Sequence, residues 1–223
     1  MKLKGKNIGD FQHWQVTLVT FISQKTEAHC MNQKICYLLG ALRDGTFDVR
    51  QGKNYELRIY QDDGKWLDFV SKILEQNFGL KPHKIGKLLR LSNKKVVGKI
   101  LKISEYVKPQ KMWFTPSCIK GSSQEKIWWY VSGFWDAEGG LPENPTMQTQ
   151  NYVSFDQKNK ESLEFVRNFL ISDGFRPTNL TYTGNVWQFR LTRKESVRKF
   201  IERIHCFHGG KLARLKKLYA CVP

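Results

Sequence analysis

At 223 residues the chain is long enough to bury a sizeable core, either as one large domain or as two compact halves. Thirty-seven Lys and Arg against twenty Asp and Glu leave a formal charge of +17, while 40% of residues are apolar and 13% aromatic. Such a chain folds, and it calls for a polyanionic partner, with nucleic acid the first candidate because phosphate neutralisation by Lys and Arg releases counterions. A membrane partner is not expected: no run approaches the ~18 apolar residues of a span, no lipidation signal is seen, and the apolar stretch 16–22, interrupted by Thr17 and Thr20, makes a poor signal peptide.

In chain order, residues 1–33 read as an N-terminal extension. An apolar, helix-like segment then runs from Ile35 through Gly40 and Ala41 to Asp44 and Gly45. Residues 46–61 alternate as a β-hairpin turning at 51–54, with Leu57 and Ile59 facing a core and Arg50, Glu56, Arg58 and Tyr60 facing outward. Trp66, Phe69, Val70, Ile73 and Leu74 fall at helical spacing, with Gly79 as a stop. A short hairpin through Gly86 (84–92) and a helix (93–103) complete a first half, 34–108, ordered αββαββα. Residues 104–121 lack periodicity and hold the linker, placed at 109–121.

The second half, 122–223, opens on a Ser122/Glu125 capping box and a Trp-rich helix through Ser132, Gly133 and Ala137 to Glu138, Gly139 and Gly140. Residues 147–157 alternate as a strand, 162–172 are amphipathic with Gly174 as the stop, and 181–192 turn at Gly184-Asn185, with Trp187, Phe189 and Leu191 on one face. Lys211, Arg214, Lys216 and Lys217 give the last helix a basic face. The sequence also repeats: Asp44-Gly45 matches Glu138-Gly139 at an offset of 94, Leu67-Asp68-Phe69-Val70 matches Leu163-Glu164-Phe165-Val166 at 96, and the segment from Arg90 to Lys94 matches that from Arg190 to Lys194 at 100. Small residues inside a helix mark close approach. Two helices touching at those positions would bring Asp44 and Glu138 together, a setting for a divalent cation such as Mg²⁺. Five cysteines, odd in number and without a Cys-x-x-Cys pair, fit a reducing intracellular setting in cytoplasm, nucleoid or organelle.

The two acidic segments, each leading a repeat of this order, resemble the LAGLIDADG homing endonucleases in their single-chain, two-motif form, and the resemblance covers residues 34–223. It implies an α+β fold of two pseudo-symmetric αββαββα units whose two antiparallel sheets form a DNA-binding saddle, and a monomer. It implies a metal-dependent endonuclease that cuts both strands of a double-stranded DNA target. The metal, Mg²⁺ or another divalent cation such as Mn²⁺ or Ca²⁺, would be held by Asp44 and Glu138 with the adjoining Gly45 and Gly139. The first motif is one residue short between Gly40 and Asp44, so with the acids aligned Ala41, rather than Gly40, is expected at the helix contact.

Lysines or other polar residues near the metals orient the attacking water in this family: repeat symmetry offers Lys94 and Lys194, and the matching Gln61 and Gln157, while Lys158 beside Gln157 is a rival whose equivalent beside Gln61 is Asp62, which breaks the symmetry. Arg50, Arg58, Tyr60, Arg90, Gln148, Gln150, Gln188 and Arg190 are expected to contact DNA from the strands, Arg suiting guanine and Gln adenine. Two alternatives share the fold: a splicing maturase bound to structured intron RNA, and a non-catalytic DNA-binding regulator.

Overall fold

The computed structural model describes residues 31–50, 54–145 and 151–222. The extension up to residue 30, the first hairpin's turn at 51–53, and Gln148 and Gln150 lie outside them. In the first half, helix α1 (Gln33–Ala41) starts where the Asn32 side chain accepts a hydrogen bond from the Ile35 N–H, and it tightens into a 3₁₀ turn over Leu42–Asp44. Strands β1 (Gly45–Arg50) and β2 (Asn54–Tyr60) pair antiparallel from Gly45 opposite Ile59 to Arg50 opposite Asn54. Helix α2 (Gly64–Phe78) is capped by Asp63 and ends at Gly79, whose φ of 69° suits glycine. Strands β3 (His83–Ile85) and β4 (Leu88–Ser92) follow, then helix α3 (Lys94–Ser104), capped by Asn93.

The connection is folded rather than loose. A short helix α4 (Ser117–Lys120) lies in it, and Tyr106 and Trp113 are buried with their rings stacked 4.6 Å apart. Helix α5 (Gln124–Glu138) starts from Ser123 without the expected side-chain cap. Ser122 instead donates to the Cys118 carbonyl, and Glu125 accepts from Gln33 at the start of α1. The capping box fails because its acid is used between the two motif helices. Strands β5 (Gly139–Gly140) and β6 (Val153–Gln157), helix α6 (Lys160–Ser172), strands β7 (Thr181–Tyr182) and β8 (Trp187–Leu191), and helix α7 (Lys194–Arg203) repeat the order of the first half. Helix α8 (Gly209–Cys221) is added after them.

Among the described residues the strands form two four-stranded antiparallel sheets, ordered β1-β2-β4-β3 and β5-β6-β8-β7. Alternation sends Phe47, Leu57, Ile59, Leu89 and Leu91 inward against Trp66, Leu67, Val70 and Ile73 of α2 and Val97 and Ile100 of α3. Val153, Phe155, Phe189 and Leu191 do the same against α6 and α7. Among the described residues, helices α1 and α5 make the most extensive helix contact, with both sheets beside them. No described helix is long and apolar enough to cross a membrane, and Cys36, Cys118, Cys206 and Cys221 are free thiols.

Candidate active site

The crossing of α1 and α5 sets the geometry of the site. A Cβ added to Gly133 would lie 1.9 Å from the Tyr37 carbonyl oxygen, and one added to Gly40 would lie 2.2 Å from that of Tyr130. Two backbones therefore touch at glycines. Gly40, and not Ala41, occupies the contact, which corrects the expectation from the short motif. The missing residue is absorbed by the 3₁₀ turn: one α-helical step of about 1.5 Å and three 3₁₀ steps of about 2.0 Å carry the chain from Gly40 to Asp44, roughly 7.5 Å, as far as five α-helical steps carry it from Gly133 to Glu138.

Asp44 and Glu138 thus arrive together, one from each half. Burial raises Asp44 to about 6, opposed by Lys211 and by a hydrogen bond from Gln61. Burial, and then the charge of Asp44, raise Glu138 to about 7, against the attraction of Lys211, Arg43 and Lys158. Two desolvated carboxylates that repel each other fit a hard divalent cation, which takes one or two protein carboxylates and completes its shell with water and phosphate. Among the described residues no cluster of three or more His, Cys, Asp and Glu side chains could hold a metal, so protein side chains would supply only part of such a shell.

The two glutamines sit in matching places. Gln61 accepts from the Asp62 N–H at 2.9 Å and donates through Nε2 to Asp44 at 2.8 Å. Gln157 accepts from the Lys158 N–H at 2.7 Å, but its buried Nε2 has no hydrogen-bond partner. Lys94 and Lys194 are not brought to the acids. Lys94 lies over the Tyr55 ring, near the start of β2, whereas Asp44 meets Gln61 just past the end of that strand, roughly 20 Å away at 3.3 Å per residue. Lys194 likewise follows the far end of β8, where Leu191 pairs with Val153. Repeat symmetry selected these lysines, but strand direction separates them from the carboxylates.

The cation that acts on both acids is Lys211, expected on a basic face of the last helix. It is buried, and its Nζ donates to the carbonyls of Trp135 and Asp136, both at 2.8 Å, at the electronegative end of α5. Burial lowers its pKa to about 8 against the opposing pull of Asp136, Glu138 and Asp44. No local pattern marks this residue. Its position depends on α8 docking, which begins where the Gly210 N–H donates to Asp63 of the first half at 3.0 Å.

Around the glycine contact lies a crossed pair of buried charges. Tyr37, Gly40 and Arg43 match Tyr130, Gly133 and Asp136 at a constant offset of 93. Tyr37 donates to Asp136 and accepts from Trp66, while Arg43 donates to Tyr130 at 2.9 Å and to the carbonyls of Trp113 and Phe114 in the connection. Asp136 also accepts from the Phe207 and His208 N–H groups. Equivalent positions hold a cation in one helix and an anion in the other, each bound to the partner helix's tyrosine.

The outer faces of the sheets carry the other candidates. Arg58 and Arg90 both donate to Glu56, with the Arg90 contact at 2.7 Å, and these bonds hold the Glu56 carboxyl at about 2. Arg50 and Tyr60 are exposed. Gln188 donates to Asp156, and Arg190 donates to Gln188 at 3.0 Å and lies over the Tyr152 ring. Each face is a row of donors steadied by a central acid, suited to hydrogen-bonding base edges.

Residues 125–205 match the model of the LAGLIDADG-like domain. The chain is 29% identical over 196 residues to homing endonuclease I-ApeI of Aeropyrum pernix, covering 82% of this chain and 85% of that protein. Its fold is similar to that of I-DmoI solved in complex with DNA and Mn, with a TM-score of 0.56 at 19% identity over 77% of this chain and 96% of that one. It is also similar to the homing endonuclease I-WcaI bound to its DNA recognition sequence, with a TM-score of 0.54 at 13% identity over 77% and 80% of the two chains.

Proposed function

We propose that this chain is a site-specific, metal-dependent endonuclease of double-stranded DNA, of the single-chain, two-motif LAGLIDADG kind, a reading supported by the LAGLIDADG-like match over residues 125–205, the 29% identity to I-ApeI and the fold shared with I-DmoI. The observation that carries the reading is the meeting of Asp44 and Glu138 at the ends of two helices in glycine-to-glycine contact, both with pKa values raised by burial. Together these carboxylates would hold Mg²⁺ or another divalent cation beside Gly45 and Gly139. When bound, the cation supplies a Lewis acid for the scissile phosphate and lowers the pKa of a coordinated water.

The chain's own groups have separate tasks. Gln61 fixes the Asp44 carboxylate by donating to one of its oxygens. Gln157 presents a free amide donor on the second-half side, and Lys158 adds positive charge for a phosphate near Glu138. Lys211 anchors the last carbonyls of α5 and offsets the charge of the acid pair. Arg50, Arg58, Tyr60, Arg90, Gln188 and Arg190 on the sheet faces read the duplex, with surrounding lysines on its phosphates.

The test is incubation of the purified protein with a plasmid library of candidate sites, with Mg²⁺ or with chelator, and sequencing of the double-strand ends. Discrete Mg²⁺-dependent cuts that disappear in Glu138→Gln and Asp44→Asn, with binding retained, are expected. Tight binding to one sequence without cutting in the unaltered protein would overturn the enzymatic reading and favour a regulator. An empty DNA screen with capture of structured RNA would favour a maturase.

A further inference from the structure

The repeat offset steps from 96 to 100, and the structure locates the four extra residues in one hairpin. In the first half Ile85 pairs with Leu88, and the chain turns at once through Gly86 and Lys87. Their counterparts in the second half, Thr181 and Gln188, also pair. There the strands continue through Tyr182 opposite Trp187 and a Thr183–Val186 hydrogen bond of 3.0 Å, turning only at Gly184, φ 92°, and Asn185. The hairpin is longer by two rungs, about 7 Å, at the end of the sheet where Trp187 pairs with Gln157.

This extension borders an open, shallow pocket of about 360 Å³ lined by Lys111, Lys158, Tyr182, Asn185 and Trp187. Tyr182 is 57% exposed, and its ring is tilted 47° to that of Trp187 with centroids 5.2 Å apart. The Lys160 ammonium lies 4.8 Å from the Trp187 centroid. The first half serves as an internal control. The counterparts of Lys158 and Trp187 there are Asp62 and Lys87, which satisfy each other in an ion pair of 2.6 Å. There an exposed Tyr60 stands beside the matched Asp62–Lys87 pair, so the fold closes this hairpin without a second aromatic ring on the hairpin itself and with its cation already paired.

We propose that this pocket binds a nucleobase displaced from the duplex stack beside the Glu138 side of the site, on one DNA strand only. The inference rests on the endonuclease reading given above. Base edges in a paired duplex are recognised by donors and acceptors of the Arg and Gln kind, whereas an open aromatic face gains contact with a base only once that base has left the stack. The exposed Tyr182 ring supplies the stacking surface, backed by Trp187, whose ring also carries the Lys160 ammonium; Lys111 and Lys158 supply cations for the phosphates on either side, and the Asn185 amide can address a base edge. Among the described residues, no acid lines the pocket.

The test places 2-aminopurine at each position across the cut, on either strand of the duplex recovered by the cleavage selection, and follows its emission on binding in chelating buffer. A several-fold change at one or two adjacent positions of a single strand is expected. It should disappear in Tyr182→Leu, which also weakens binding roughly tenfold, and persist in Tyr182→Phe, which keeps the ring. Unchanged emission, equal changes on both strands, or a signal indifferent to Tyr182→Leu would overturn the proposal. A protein that binds and cuts while every position stays silent overturns the pocket alone, whereas one that binds no duplex overturns the endonuclease reading with it.

Discussion

Glu138 and Asp44 are held in a state that folding alone does not favour. Carboxyls raised to about 7 and about 6 bind more protons in the folded than in the unfolded chain between pH 4 and 7. Their contribution is therefore most favourable below the unfolded values near 4 and is lost as pH rises through 6 and 7. In chelating buffer at pH 8, Glu138→Gln should stabilise the protein by about 2 kcal/mol, and its stability should fall less between pH 5 and 8 than that of the parent. Denaturant melts across that range check this, and a Gln variant less stable than the parent at pH 8 would contradict it. Lys211 favours the ionised form of both acids, so Lys211→Met should move the acidic limb of the cleavage profile to higher pH, which a pH–rate series reads directly. The acids were legible from the sequence because acid–glycine endings recur at a fixed offset. Lys211 was not, because a lysine among lysines shows no sign of burial until α8 is docked through Asp63.

At the scale of elements, the pair α1 and α5 leaves no tolerance for side chains at its crossing. Gly133→Ala should cost about 3 kcal/mol or more, since the added methyl meets backbone that cannot rotate away, whereas Gly98→Ala, with open space around it inside α3, should be neutral or slightly stabilising. Paired thermal melts decide. The order of helices and hairpins, the inward faces of the strands and the glycine stops at Gly79 and Gly174 could all be read from periodicity and turn chemistry. The Gly40 contact could not. Counting residues assumes a constant rise, and the 3₁₀ turn over Leu42–Asp44 changes the rise where the count falls short. Lys94 and Lys194 failed for a related reason: equivalence between halves says which residues correspond, but not which end of a strand they occupy.

Across the whole molecule, the charge of +17 and the arginine-bearing sheet faces predict DNA binding that weakens steeply with salt. For roughly 6–10 phosphate contacts, affinity should fall about 10³- to 10⁵-fold between 50 and 200 mM salt. A titration series showing a flat dependence would remove phosphate neutralisation as the main source of affinity. Glu56→Gln should then raise affinity modestly while blurring sequence preference, because it frees Arg58 and Arg90 from the acid that orients them.

The opposed charges of Arg43 and Asp136 also bear on how such a chain can change over time. Two copies of the first half, crossed at their glycines, would bring two guanidinium groups to the places where one cation and one anion now sit, and two copies of the second half would bring two carboxylates there. Neither arrangement is neutral. A chimera that grafts either half onto a foreign partner must therefore find in that partner a tyrosine placed to accept from Arg43 or to donate to Asp136.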